Sequence, residues 1–303
     1  MIMKLDATII GKITSQSDMD EFVNSLELKS DTVIIKPNWV EAATGAHTEA
    51  KVLDLLLASL KNKKIYVVES YTFWRHQQYL EKLEDAFSSK EAQLETGKVH
   101  WDFYQQADDW FLKHTGIGEV LKKYDATYIN VTSELWADKQ SPIFPVPQIL
   151  YDLKGSDFIS FAKLKGDADY GATLSIKNIF GLYPDPTRLA KYHAEGESHL
   201  AQHIININKI YAELFNCYYL VEGIFSASHF DWANQQNTVH FDNLGYVCGG
   251  QDAVQVDDTA LKSIGRQLRG ALSNLLIDYQ AQIGGTFQTQ QIPNDLIINF
   301  PTL

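Results

Sequence analysis

The chain has 303 residues, 45% hydrophobic and 12% aromatic, enough apolar content to close one large core or two smaller ones and too much for a disordered chain. Its 26 basic side chains face 38 acidic ones, a formal charge of −12 that repels nucleic acid and anionic membrane, so a small molecule is the expected partner. Cys217 and Cys248 are the only cysteines, too few for an all-cysteine iron–sulfur or zinc site, and they fit a reducing cytoplasm. The first residues lack the apolar stretch of a signal peptide, and no window approaches the roughly 20 apolar residues of a membrane span, so a cytoplasmic protein is expected.

In chain order, "DATIIGKI" reads as a strand, and Ser17 followed by Asp20 resembles a capping box before the apolar positions Phe22, Val23 and Leu26 of a short helix. "TVIIKPN" is the next strand. Thr48 then stands where it can cap a helix carrying Val52, Leu55, Leu56 and Leu60, and "KKIYVVES" returns as a strand. Strand, helix and strand with continuous apolar runs make a βαβ unit, which favours a parallel sheet covered on both faces. Residues 72–125 are richer in charge and aromatics, with helical stretches at "QQYLEKLEDAF" and "IGEVLKKYDA", followed by a strand at "ATYINVT". "SDFISFAKLK" and "CYYLVEGI" read as strands, "HLAQHIININKIYAELF" as a helix, and "DDTALKSIGRQLRGALSNLLIDYQ" as one long closing helix. The expected fold is α/β and layered, a mostly parallel or mixed sheet with helices on both faces. It forms one domain over residues 1–303, with a possible subdomain split near 130–150.

Several of these strands end in groups that a core does not accept: Lys36 and Asn38, Glu69 and Ser70, Lys163 and Lys165, and Glu222. Open parallel sheets bind ligands outside the carboxyl ends of their strands, which makes this edge the default site. Pro37 cannot donate to a ladder, so it stops its strand at Lys36.

Four blocks carry a resemblance to a known family. "VIIKPNWV" with "HTEAKVLDLLLASL", "VPQILYDLKGSDFISFAKLKGD", "GATLSIKNIFGLYP" with "RLAKYH", and "LVEGI" with "GGQDAVQVDDTA" are similar to motifs of the domain of unknown function 362 family, over most of residues 31–265. The resemblance implies an α/β fold and no assigned activity. Asp167 stands where the family often has histidine, Glu222 where aspartate is usual and Ala253 where proline is usual. The cysteine-rich ferredoxin module of many relatives is missing, so the resemblance implies no electron transfer and no iron–sulfur cluster. The coarse segment order is also similar to that of the amino-terminal domain of nickel-pincer lactate racemases, in layout only, since their histidine motifs are not found.

In "SIKNIFGLYPDPTRLAKYH", Lys177 and Asn178 precede a loop that bears Arg188, Lys191 and His193. Together with Lys36, Lys163 and Lys165, these cations can gather positive charge that draws a carboxylate or phosphate into a cleft. His199 and His203 share one face of a predicted helix but lack the glutamate of the protease motif. Glu222, Asp252 and Asp257 form a carboxylate set able to hold a divalent cation or to act as acid and base, although Asp257 and Asp258 also suit a helix N-cap. No dinucleotide or P-loop fingerprint is present.

The expected function is therefore an enzyme acting on a small anionic metabolite by acid/base or lysine chemistry, with a non-catalytic binding or carrier protein as the alternative. Lys177, His193 and Glu222 are the candidate catalytic groups. Lys36, Asn38, Lys163, Lys165, Asn178, Arg188 and Asp252 are the candidate ligand contacts, and a homo-oligomer is compatible with the sequence.

Overall fold

The computed structural model describes residues 2–72, 75, 79, 101–137, 143–166, 172, 174–185, 188, 192, 196–224, 226–231, 236–241, 244–265 and 270–298. The helical stretch expected at "QQYLEKLEDAF", and Asp167, Lys191 and His193, lie outside them.

The chain opens with a hairpin of β1 (Ile2–Leu5) and β2 (Thr8–Lys12), of which the sequence reading anticipated only the second strand. Helix α1 (Gln16–Ser25) begins in a capping box, but its members are Ser15 and Asp18. The expected pair, Ser17 and Asp20, lies inside the helix. Strand β3 (Thr32–Lys36) leads through a loop to α2 (Ala50–Ser59) and back to β4 (Lys64–Glu69). Thr48 does not cap α2, because its hydroxyl accepts the Asn38 amide at 3.0 Å, and Glu49 takes the N-cap position instead. The helices α3 (Trp101–His114) and α4 (Ile117–Lys123) precede β5 (Thr127–Asn130), and the short α5 (Val131–Ala137) and α6 (Gln148–Tyr151) precede β6 (Asp157–Lys163).

The five-residue α7 (Ser175–Ile179) runs into a 3₁₀ turn at Phe180–Leu182, and α8 (Glu197–Leu214) leads to β7 (Asn216–Gly223). A separate hairpin, β8 (Ser226–Asp231) with β9 (Gln236–Phe241), comes before β10 (Tyr246–Gly250). The closing helix is two helices, α9 (Ala253–Ser263) and α10 (Gly270–Gln282). Gly265, at φ +67° just after α9, adopts the left-handed conformation that commonly ends a helix and that glycine enters without a Cβ clash.

Eight strands form one sheet in the order β1-β2-β10-β7-β6-β3-β4-β5. From β7 to β5 the neighbours are parallel, and β10, β2 and β1 extend the sheet antiparallel. The strands on either side of residues 130–150, β5 and β6, belong to this same sheet.

Both faces are covered, and side-chain alternation distributes each strand between them. Val33 and Ile35 of β3, with Leu220 of β7, pack against Phe22 of α1 and Leu53 and Leu56 of α2. Ile34 and Val221 point the other way, into a cluster with Ile204 and Tyr211 of α8, Val254 of α9 and Leu275 of α10. This two-sided burial is why the strands read as unbroken apolar runs. Among the described residues, no helix is long and apolar enough to cross a membrane.

Candidate functional site

The parallel strands all end at one edge, and four of them carry a charge at or next to their last position: Lys36 on β3, Glu69 on β4, Lys163 on β6 and Glu222 on β7. None is more than 2% exposed. Taking a charged group out of water costs several kcal/mol, on the order of the whole stability of a domain, unless a partner and hydrogen bonds compensate it. The partners divide the edge into two groups.

The first group centres on Lys36, which shares the Ile34 face of β3. Its Nζ donates to Glu69 Oε2 at 2.8 Å and to the Pro37 carbonyl at 2.6 Å. Burial lowers the ammonium's pKa, and the Glu69 carboxylate opposes the shift. Glu69 also accepts the amides of Ser70 at 3.0 Å and Trp39 at 3.3 Å. Arg188 is 9% exposed and donates to the carbonyls of Tyr71 at 2.5 Å and Tyr183 at 3.3 Å; burial brings it down to about 10 against the pull of Glu69. Arg75 completes this group, with its guanidinium on the Ser70 carbonyl and 3.4 Å from Asp108.

The second group lies on the opposite strand face, that of Phe161 and Leu220. Lys163 Nζ stands between two carboxylates, 2.6 Å from Glu49 Oε2 and 3.0 Å from Glu222 Oε1. The first contact is a hydrogen bond. The second is an ion pair, and Glu222 Oε2 also accepts the Ile224 amide at 3.1 Å. Burial pushes Glu222 up to about 8, with Lys163 opposing and Glu49 adding to the rise.

Glu49 and two further members come from the loop between β3 and α2. Its Oε1 accepts the Gly45 amide at 2.7 Å. His47 sets Nδ1 3.0 Å from the Ala43 carbonyl, and burial brings its pKa down to about 4, so the ring is neutral near pH 7. An Nδ1 facing a carbonyl carries the proton, which makes Nε2 the acceptor. Glu41 is 1% exposed and has an Oε1 without a hydrogen-bond partner. Burial pushes it up to about 7 against the charge of Lys165, itself buried just beyond β6.

Two asparagines tie these strand ends together. Ser160 Oγ donates to the Ser175 carbonyl at 2.9 Å, so its lone pairs receive Asn178 Nδ2 at 3.2 Å. The same Nδ2 reaches the Lys36 carbonyl at 2.9 Å, which fixes the amide's orientation and makes Asn178 Oδ1 the acceptor for Asn38 Nδ2 at 3.1 Å. Asn38 Oδ1 is then left with no hydrogen-bond partner.

The remaining candidates are placed as follows. Lys177 is half-buried in the last turn of α7. Asp257 lies within α9 and accepts the Ser175 and Ile176 amides at 2.9 and 3.1 Å, and burial raises its pKa to about 7 against those bonds. Asp252 caps α9 through the Gln255 amide at 3.0 Å and holds Thr286 N at 2.8 Å. The structure thus fixes Glu222, Asp252 and Asp257 to three different sets of partners. Among the described residues no three His, Cys, Asp or Glu side chains are grouped to hold a metal ion. His203 packs against the Tyr192 ring at 4.4 Å, and His199, four residues earlier on α8, is exposed.

Glu41, His47 and Glu49 were not singled out by sequence. Their signal was two acids and a histidine in one short loop directly after a strand that ends in Lys-Pro-Asn. Fold and edge together define an α/β protein whose parallel strands deliver buried ion pairs to one end of the sheet. The family model described as Domain of unknown function (DUF362) matches residues 33–262, which include every side chain of the two groups, and the chain belongs to that family. It matches no curated protein and no solved structure.

Proposed function

We propose that the chain is an enzyme that moves a proton on a small anionic metabolite bound at the carboxyl edge of the sheet. The observation that carries this reading is Lys163 held between Glu49 and Glu222 with all three side chains out of water. Two carboxylates on one ammonium leave an excess negative charge, and it is relieved by a proton on Glu222, whose pKa rises to about 8. A carboxyl that gains and loses its proton near neutrality suits general acid/base work. The neutral imidazole of His47, carried on the same loop as Glu49, offers an acceptor nitrogen, and the ammonium groups of Lys165 and Lys177 suit an anionic ligand.

The test is deuterium uptake. Incubating the protein in D₂O with a mixture of carboxylate and phosphorylated metabolites, then reading the mixture by mass spectrometry, should reveal one compound with deuterium on carbon. Glu222→Gln and Lys177→Met should each remove that uptake, and Lys177→Met should melt with the parent, since the side chain is half-buried. A metabolite that binds tightly and takes up no deuterium would replace the enzyme reading with that of a carrier.

A further inference from the structure

We infer that the loop between β3 and α2 sets the charge of Glu222: while the loop holds Glu49 on Lys163, Glu222 stays a neutral acid, and when the loop lets Glu49 go, Lys163 passes to Glu222 as its carboxylate. The inference rests on the proposed proton-transfer reading and names the regulation of its acid.

The geometry supplies one cation for two carboxylates. Lys163 Nζ lies 2.6 Å from Glu49 Oε2 and 3.0 Å from Glu222 Oε1. Out of water little uncompensated charge is tolerated, and two arrangements leave none: Glu49 ionised with Glu222 protonated, or Glu222 ionised with Glu49 turned to solvent. Glu49 is the one able to leave. Its side chain is 11% exposed where that of Glu222 is 0%, and Glu222 sits in a strand paired on both sides, with β6 and β10.

The loop itself holds Glu49 in place. Its Oε1 accepts the amide of Gly45 at 2.7 Å, and Gly45 stands at φ +81°, a conformation that favours glycine. The base of the loop is pinned separately, by Asn38 N on Thr48 Oγ1 at 3.0 Å and Thr48 N on Asn38 O at 2.9 Å. A shift of the tip therefore acts on Glu49 through Gly45 while the ends stay fixed, and Thr44, next to Gly45, lies at the surface.

Lys163 from β6 and Glu49 from the loop are the charges that bear on Glu222, and its other neighbour β10, Tyr246–Gly250, brings none. His47 of the loop is neutral near pH 7, and Glu41 is under the charge of Lys165. Helices α7, α8 and α9 pack on the opposite face of β7, that of Val221, where Asp257 bonds Ser175 and Asp258 pairs with Lys262 at 2.8 Å. Burial raises Glu222 to about 8, Lys163 opposes the rise and Glu49 adds to it, so a seated Glu49 favours the proton. Reciprocity fixes the other half: the proton favours the seated loop, and its loss to solvent or to a bound metabolite, as the carboxyl O–H breaks, favours release.

Carbon-13 NMR of the full chain, labelled at the glutamate carboxyls, tests this without any ligand; the Glu222 signal is the one lost in Glu222→Gln. Its titration midpoint should fall by about one pH unit or more in Glu49→Gln, a tenfold loss of proton affinity. In the parent, protection of the Gly45 amide from hydrogen exchange, corrected for the intrinsic effect of pH, should drop severalfold from about pH 7 to about 9, across the Glu222 titration. In Glu222→Gln it should stay level. An unmoved midpoint, or an equal drop of protection in Glu222→Gln, would overturn the inference. If that protein still labels a metabolite with deuterium, the proton-transfer proposal stands without it. A midpoint that moves in a protein that labels nothing upholds the linkage and removes that proposal.

Discussion

Asp257 on α9 and Ser175 at the start of α7 are joined twice across 82 positions of sequence: Asp257 Oδ1 accepts the Ser175 amide at 2.9 Å and its hydroxyl at 2.5 Å. The N-cap position of α7 is Leu174, which has no side-chain oxygen to offer the first amides of the helix, and a carboxylate from the neighbouring helix does so instead. Asp257→Ala should therefore lose about 1–3 kcal/mol for each stranded buried donor in urea unfolding, whereas Asp257→Asn, which keeps one acceptor oxygen, should lose less. Equal losses for the two variants would show that the bonds to Ser175 and Ile176 do not hold α7.

Glu222 sets a pH dependence with a defined sign. Its pKa in the folded chain is about 8 against an ordinary 4.5, so between these values the folded protein holds a proton that the unfolded chain has released. Stability should be fully present below 4.5, fall as pH rises through the window and level off above 8. Glu41, raised to about 7, contributes in the same direction but finishes earlier. The slope of Tm between pH 7 and 8 should accordingly shrink in Glu222→Gln. A slope identical to the parent's would assign that proton to another group.

Removing the cation tests the same triad from the other side. Lys163→Met keeps most of the stem and leaves Glu49 and Glu222 facing each other out of water. Breaking a buried ion pair by deleting one partner costs about 3–5 kcal/mol. Part of that loss should return in the double variant Lys163→Met with Glu222→Gln, because glutamine is neutral without having to hold a proton there. Unfolding curves in which Lys163→Met is neutral would show that the two carboxylates do not depend on the ammonium.

These relationships also separate what was legible in the chain from what was not. Val33, Ile34 and Ile35 announced a strand buried on both faces, and Pro37 announced its end, because both follow from local backbone chemistry. Lys36, Lys163 and Glu222 could be placed at one sheet edge for the same reason. Which charge meets which could not be read, since the contacts of Lys163 with Glu49 and of Asn38 with Asn178 span 114 and 140 positions. Strand alternation also turns Lys36 and Lys163 to opposite faces, and only the register of β3 against β6 reveals it. The misplaced cap at Ser17 was a choice between two Ser-x-x-Asp spacings two residues apart, and both satisfy the pattern. The break after α9 did have a local signal in Gly265, which the apolar periodicity on either side outweighed.

Gly181 illustrates a residue whose identity is set by the site. Its backbone does not require glycine, being part of the 3₁₀ turn Phe180–Leu182 and absent from the glycines with positive φ. The constraint is space: a Cβ at this position would lie 3.0 Å from Lys36 Nζ, 3.1 Å from Lys36 Cε and 3.4 Å from Glu69 Oε1. The lysine has little room to yield, because Pro37 O and Glu69 Oε2 hold its nitrogen from two sides and the side chain is buried. Gly181→Ala should then cost about 1–3 kcal/mol, the range for forcing a methyl group into a packed interior. A double-mutant cycle with Lys36→Ala identifies the cause: once the long side chain is gone, the alanine at 181 should cost much less than it does in the parent. If the two losses simply add, the glycine is not there to make room for the Lys36–Glu69 pair.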